Sequence, residues 1–217
     1  MMNRILISGA NRGLGLEMTR QYLERGERVF AGCRSLDRAE ALKELDGRFP
    51  GQLRILPLDV NEQKSIDDAG SAVEGEVDGL ELLINNAAVS TSHETIREFQ
   101  AEEALQFINT NAIGQLLVAQ RVLDLLRNGR QAKIVNISSE AGSISTMSAF
   151  RGYYYFASKA ALNMYSRALA WDPETEGVIV LPGSSMGKGG EGFFRVALTT
   201  SESRLREAAS RLGSLLE

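Results

Sequence analysis

Cysteine and histidine are almost missing from this chain: Cys33 and His93 stand alone among 217 residues. A single cysteine cannot form an internal disulfide, and it points to a reducing compartment. One histidine and one cysteine argue against a zinc site, so no metal is expected. A Ser–His–Asp triad would have to run through His93 alone. Long apolar runs are missing as well, and none approaches the ~20 residues that a membrane span needs. Met1 to Arg4 lead straight into Ile5-Leu6-Ile7, with no signal peptide visible, so a cytoplasmic location is expected. There is no basic run, and the formal net charge is −4. Sequence-independent nucleic-acid binding is therefore a poor fit.

What is present suits a folded domain. Hydrophobic residues make up 43% and charged residues 24%, enough for a core and a polar surface. No repeat, low-complexity tract or linker interrupts the chain before about residue 172. The expectation is one domain over residues 1–217.

Short apolar runs alternate with helix-length segments. Candidate strands are Arg4–Ser8, Arg28–Gly32, Leu53–Leu58, Leu80–Asn85, Ala132–Ser138 and Gly177–Leu181. Most are apolar without alternation, as strands are when both faces of a parallel sheet are covered. Candidate helices are Leu14–Arg25, a segment from Leu36 to about Asp46, Glu62–Glu76 with Asn61 as N-cap, Ala101–Arg127, and Tyr153–Trp171. Pro173 and Gly177 end the last of these. This alternation predicts right-handed crossovers in an α/β, Rossmann-like, doubly wound sheet of three αβα layers.

Ser8-Gly9-Ala10-Asn11-Arg12-Gly13-Leu14-Gly15 leaves the first strand and opens the first helix. Gly9 lets the chain turn sharply off the strand. Gly13, without a side chain, lets a pyrophosphate approach the backbone. Gly15 permits close packing of helix on sheet. The helix start then offers free N–H groups and a positive dipole end to phosphates.

The motifs resemble those of the short-chain dehydrogenase/reductase family, in type and order, over roughly residues 3 to 172. The glycine turn resembles its T-G-x-x-x-G-x-G, with Ser8 for the threonine. Asn85-Asn86-Ala87-Ala88 resembles N-N-A-G, with Ala88 for the glycine. Asn111-Ala112-Ile113-Gly114 resembles its N-x-x-G, Ile137-Ser138-Ser139 ends the fifth strand, and Tyr155-Phe156-Ala157-Ser158-Lys159 resembles Y-x-x-x-K. The resemblance implies a nicotinamide cofactor held by Gly9, Asn11, Arg12, Gly13, Leu14 and Gly15. Asp59 and Val60 would hold the adenine, with Asn86, Ala87, Pro182 and Gly183 also against the cofactor. It implies catalysis by Asn111, Ser139, Tyr155 and Lys159, with Lys159 also gripping the nicotinamide ribose and Asn111 supporting a water relay to it.

Elementary chemistry supports that constellation. Tyr155 and Lys159 are four apart and share a helix face. A tyrosine pKa of about 10 is too high for efficient acid–base work near neutrality. A nearby ammonium, joined by an oxidised nicotinamide, would favour phenolate and lower it. Tyr153, Tyr154 and Tyr155 all compete for the role, but only Tyr155 has a lysine four residues on. Ser139, at the carboxyl end of a strand, is preferred over Ser138 and Ser143 for holding the substrate oxygen. Its separation from Tyr155, sixteen positions, is longer than the family's common one.

No acid follows the second strand until Asp37, whereas Arg34 does, and Arg12 lies inside the glycine turn. Cations in those places suit a 2′-phosphate, so the expected cofactor is NADP(H).

After Trp171 the pattern departs. Gly177–Gly183 looks shortened, and the connection to Phe193–Thr199 is short and rich in glycine. A parallel crossover needs a dozen or more residues, so Phe193–Thr199 is expected to pair antiparallel with Gly177–Leu181. Ser201 then caps a helix to about Leu216. Residues 177–217 resemble the end of a fold-type I aminotransferase, in which the arginine matching Arg195 binds a carboxylate. The expectation is an atypical segment over residues 173–217 packed on the same sheet, and a chimeric origin. Two functions follow: an NADP(H)-dependent reductase of carbonyl or alcohol substrates, or a chimera that binds the dinucleotide with little turnover. By the same resemblance, a homodimer through Ala101–Arg127 and Tyr153–Trp171 is plausible.

Overall fold

The computed structural model describes residues 2–90, 93–145, 147, 149–150 and 152–180. Among them, six strands form one parallel sheet in the order β3-β2-β1-β4-β5-β6. They are β1 Arg4–Ser8, β2 Arg28–Cys33, β3 Leu53–Pro57, β4 Leu82–Asn85, β5 Lys133–Asn136 and β6 Ile179–Val180. The register runs Ile5 beside Val29 and Leu82, and Leu83 beside Ile134. The order reverses between β1 and β4, where open α/β sheets form their ligand crevice. The α/β class and the covered parallel sheet are as the apolar runs predict.

Both faces are covered because successive side chains point opposite ways. Ile5, Ile7, Val29 and Ile84 pack with Leu14, Met18 and Tyr22 of α1 (Gly13–Glu24) and Leu42 of α2 (Glu40–Arg48). Leu6, Phe30 and Leu83 pack on the other side with Ile66 and Val73 of α3 (Gln63–Glu74). Val118 of α5 (Gly114–Arg121) and Leu126 of α6 (Leu123–Asn128) complete that layer.

Four features differ from expectation. The helix expected from Leu36 is a 3₁₀ turn at Leu36–Arg38, and α2 starts only at Glu40. The Arg38 carbonyl accepts from the Asn11 amide at 2.9 Å instead of from a later helical N–H. Asn61 does not cap α3. Its amide oxygen takes the Thr110 hydroxyl at 3.0 Å, and Glu62 occupies the cap position. The long helix Ala101–Arg127 is in three parts. α4 (Ala101–Ile108) runs into a π turn at Asn109–Ile113, then α5, and Val122 breaks the path before α6. Finally, α7 (Tyr154–Leu169) ends earlier than expected, and Asp172 caps a 3₁₀ turn at Pro173–Thr175.

Pro182, Gly183, the strand Phe193–Thr199, Arg195 and the helix from Ser201 lie outside the described residues. No helix among the described residues is long and apolar enough to cross a membrane.

Candidate dinucleotide and active site

The glycine turn is built by backbone sterics and held by a polar network. Gly9 has φ +66°, and a Cβ there would lie 2.8 Å from the Ala87 Cα, so only glycine fits. Gly15 lies against the Gly9 carbonyl, where a Cβ would come within 2.3 Å. Gly13 opens α1 at φ +56°. Arg12, the N-cap, makes no side-chain cap, and Leu14 is buried beneath the turn. The first N–H groups of α1 therefore face the turn, an arrangement that fits phosphate.

Asn86 and Ala87 serve the turn from β4. The Asn86 amide donates to the Ser8 and Gly9 carbonyls at 3.1 and 2.9 Å. The Ser8 hydroxyl accepts from both the Asn86 and Ala87 N–H groups. Beneath lies Gln115, fully buried. Its amide donates to the Ala87 and Thr110 carbonyls at 2.7 and 2.8 Å, and its oxygen accepts from Ser8 at 3.3 Å. Gln115 thus joins the turn's floor to the π turn. Sequence reasoning missed it. The available signal was a glutamine sharing a helix face with Val118 and Ala119.

Where the resemblance expects the adenine, Asp59 is half-buried. Its N–H donates to the Ser65 hydroxyl, and its carboxylate accepts from the Asn61 N–H. Val60 is buried, and its carbonyl would sit 2.3 Å from a Cβ on Gly114. Arg12, Arg34 and Arg38 are all exposed near this end, and among the described residues no carboxylate pairs with them. Arg38 also went unnoticed in the sequence. It follows Arg34 by four positions, and Asn11 ties it to the glycine turn. Cys33, between turn and arginines, is fully buried, and burial pushes its thiol above the usual range.

At the carboxyl end of β5, two hydroxyls meet. Ser139 lies near enough to Tyr155 to act on its phenol, and the Ser139 oxygen accepts from the Ala141 N–H at 3.2 Å. Ser138 and Ser143 point elsewhere: Ser138 donates to Asn163 at 2.5 Å, and Ser143 faces Ser145 at 3.3 Å. Lys159 is 2% exposed, and its ammonium lies 5.8 Å from the Tyr155 ring centroid. It donates to the Ile137 carbonyl at 2.8 Å. Asn111, in the π turn, exchanges hydrogen bonds with Val89 and donates to the Ser158 hydroxyl, which in turn donates to the Tyr155 carbonyl. Both of its N–H donors are thereby engaged, one on Val89 and one on α7.

The charge balance departs from expectation. Burial raises the Tyr155 pKa, and the nearby Ser139 hydroxyl only partly offsets this. Lys159 does not lower it, because its ammonium is directed to the Ile137 carbonyl. Burial instead brings Lys159 itself down to about 8. In the chain alone the phenol is therefore held protonated, whereas the lysine is close to titrating near neutrality.

Comparison with known proteins gives the family. The family model for short chain dehydrogenases matches residues 3–183. The chain is similar to an NADP-dependent 3-hydroxy acid dehydrogenase of Shigella flexneri, at 30% identity over 77% of this chain and 65% of that one. An NADPH-bound carbonyl reductase from chicken fatty liver superposes with TM-score 0.76 at 35% identity, covering 82% of this chain and 77% of that one. A carbonyl reductase from Pseudomonas aeruginosa PAO1 gives TM-score 0.81 at 27% identity, over 98% of this chain and 90% of that one. The chain spans about two-thirds the length of the curated relatives it matches, 65% in the first case. None of these likenesses supports an aminotransferase-like tail or a chimeric origin. With glycine turn, Asn86, Asn111, Ser139, Tyr155 and Lys159 on one edge of a parallel sheet, and a family match over most of its length, this chain belongs to the short-chain dehydrogenases.

Proposed function

We propose that this protein is an NADP(H)-dependent oxidoreductase that interconverts a small carbonyl compound and its alcohol. The observation that carries the reading is Tyr155 set beside Ser139 at the end of β5, with Lys159 buried 5.8 Å from the Tyr155 ring centroid. Bound at the glycine turn, a nicotinamide supplies or accepts a hydride at the carbonyl carbon.

The chain's own residues position the substrate oxygen and move a proton. Ser139 holds that oxygen. Tyr155 gives it a proton in reduction and takes one in oxidation. The raised phenol keeps its proton near neutrality and so has one to donate in reduction. Lys159, anchored to the Ile137 carbonyl, holds the nicotinamide ribose. Asn111 holds the start of α7 through Ser158, and its backbone supports resupply of protons toward Lys159.

Arg12, Arg34 and Arg38 form the site for the 2′-phosphate, and the chicken and Shigella relatives are described as NADPH-bound and NADP-dependent. We also read the outer faces of α4 and α7, with Leu105 and Met164 exposed, as the contact of a homodimer.

Steady NADPH oxidation with a panel of ketones, aldehydes and quinones tests the activity. Tyr155→Phe is expected to lose on the order of 10²–10⁴-fold in turnover while still binding NADPH. Absence of oxidation with every substrate in the panel would remove the reading. Arg34→Glu tests the cofactor: NADPH binding should weaken by roughly tenfold or more, with NADH nearly unchanged. Equal loss for both dinucleotides would refute the phosphate site.

A further inference from the structure

The helix that carries Tyr155 has no cap of its own. Tyr153 stands at the cap position of α7 with helical dihedrals, φ −98° and ψ −42°, and no capping side chain. The first N–H groups are met from far away in the chain. One carboxylate oxygen of Glu94 accepts from the N–H groups of both Tyr153 and Tyr154, the latter at 2.8 Å and across 60 positions. The same segment is clamped a second time. The Tyr154 hydroxyl accepts from the Gln100 N–H at 2.7 Å, and the Tyr154 ring packs on Phe99 with centroids 5.3 Å apart. Tyr155 is the next residue.

We infer that Glu94 is a positioning residue for Tyr155: by holding the start of α7 it fixes where the phenol lies against Ser139. The inference rests on the reading of Tyr155 as the proton donor. Orphan N–H groups at a helix start fray unless a side chain meets them. A frayed first turn would move Tyr155 relative to Ser139, while Lys159, one turn further in and anchored to Ile137, would stay. Loss of the cap therefore acts on the proton-transfer geometry and spares the dinucleotide site on α1. The 93–100 segment, which follows β4, becomes part of the machinery that sets the catalytic tyrosine.

Three variants and a readout independent of turnover decide the matter. Glu94→Ala removes the acceptor. Glu94→Gln keeps an acceptor oxygen at the same reach. Glu94→Asp keeps the charge but is one methylene shorter. Amide hydrogen exchange over Tyr153–Tyr155 should speed up by roughly tenfold in the alanine and aspartate variants, and stay near wild type in the glutamine variant. Turnover should follow the same order, with kcat falling on the order of 10–100-fold in the first two. The Kd for NADPH should remain within about twofold throughout. Unchanged exchange in Glu94→Ala would overturn the inference. So would faster exchange with kcat untouched, or an aspartate variant that works while the glutamine variant fails. A wild-type protein without turnover would instead remove the functional reading, and the exchange measurements would still decide whether Glu94 holds the helix start.

Discussion

At the amino end of the sheet, Glu81 is 2% exposed, and at the carboxyl end Lys159 is 2% exposed. The two charges are equally buried but differently met. Both Glu81 oxygens receive the Arg4 guanidinium, at 2.9 and 3.1 Å, and one also accepts the Arg4 N–H at 2.8 Å. Burial alone would raise the Glu81 pKa, but the Arg4 hydrogen bonds win and hold it below the usual carboxylate range. Lys159 has a backbone carbonyl as its partner and, among the described residues, no carboxylate. Burial there goes unopposed, and its pKa falls to about 8. A charge kept for architecture is neutralised by the chain itself. A charge left uncompensated in the crevice costs stability, which suits a group kept for chemistry rather than for architecture.

The harshest trial of that contrast is Lys159→Met. Turnover should fall on the order of 10²–10⁴-fold. Stability near pH 7 should nevertheless rise, on the order of 1–3 kcal/mol, because the desolvated ammonium is gone. The sign is fixed by where the proton goes. Folded Lys159 releases it near pH 8, whereas the unfolded residue keeps it to about 10.5. Between those values the unfolded chain binds more protons, so wild-type stability climbs with pH, and the variant should lack that climb. Urea unfolding at pH 7 and pH 10 measures both points. A variant less stable than wild type at pH 7 breaks the comparison.

Glu81→Gln probes the other end. It should cost on the order of 2 kcal/mol, since Arg4 loses the buried one of its two carboxylate partners and keeps exposed Asp78, with kcat unaffected. A depressed carboxylate stabilises above its unfolded value, 4.5, and that stabilisation is lost as pH falls through the folded value. The difference between variant and wild type should therefore shrink in acid, which denaturation at pH 7 and pH 3 would show.

A smaller effect sharpens the picture of the crevice floor. Gln115→Leu strands the Ala87 and Thr110 carbonyls, at a cost of roughly 1–3 kcal/mol, and should weaken NADPH binding several-fold. Fluorescence titration checks the affinity. An unchanged Kd would separate the floor from the cofactor platform.

The sheet was legible because its strands are apolar on both faces, so β1 at Arg4–Ser8 is as the pattern predicts, and the others differ only at their ends. The glycine turn was legible because Gly9 and Gly15 answer a steric demand that no other residue meets. Lys159 stood out through its spacing from Tyr155. What remained hidden depends on partners far along the chain. The long helix Ala101–Arg127 carries no proline or glycine at Asn109, so nothing local foretold its π turn. Asn61 reads as a cap in any local scheme, yet Thr110 claims its side chain from 49 positions away. Glu94 offered no local signal at all.

By itself the sequence determined the parallel α/β architecture and the identity of the groups at its carboxyl edge, because periodicity and glycine sterics act over a few residues. Only the tertiary structure decided which serine meets Tyr155, that Lys159 turns to Ile137, and which remote carboxylate begins α7. Hydrogen bonds and desolvation depend on where distant segments come to rest, and no local pattern encodes that distance.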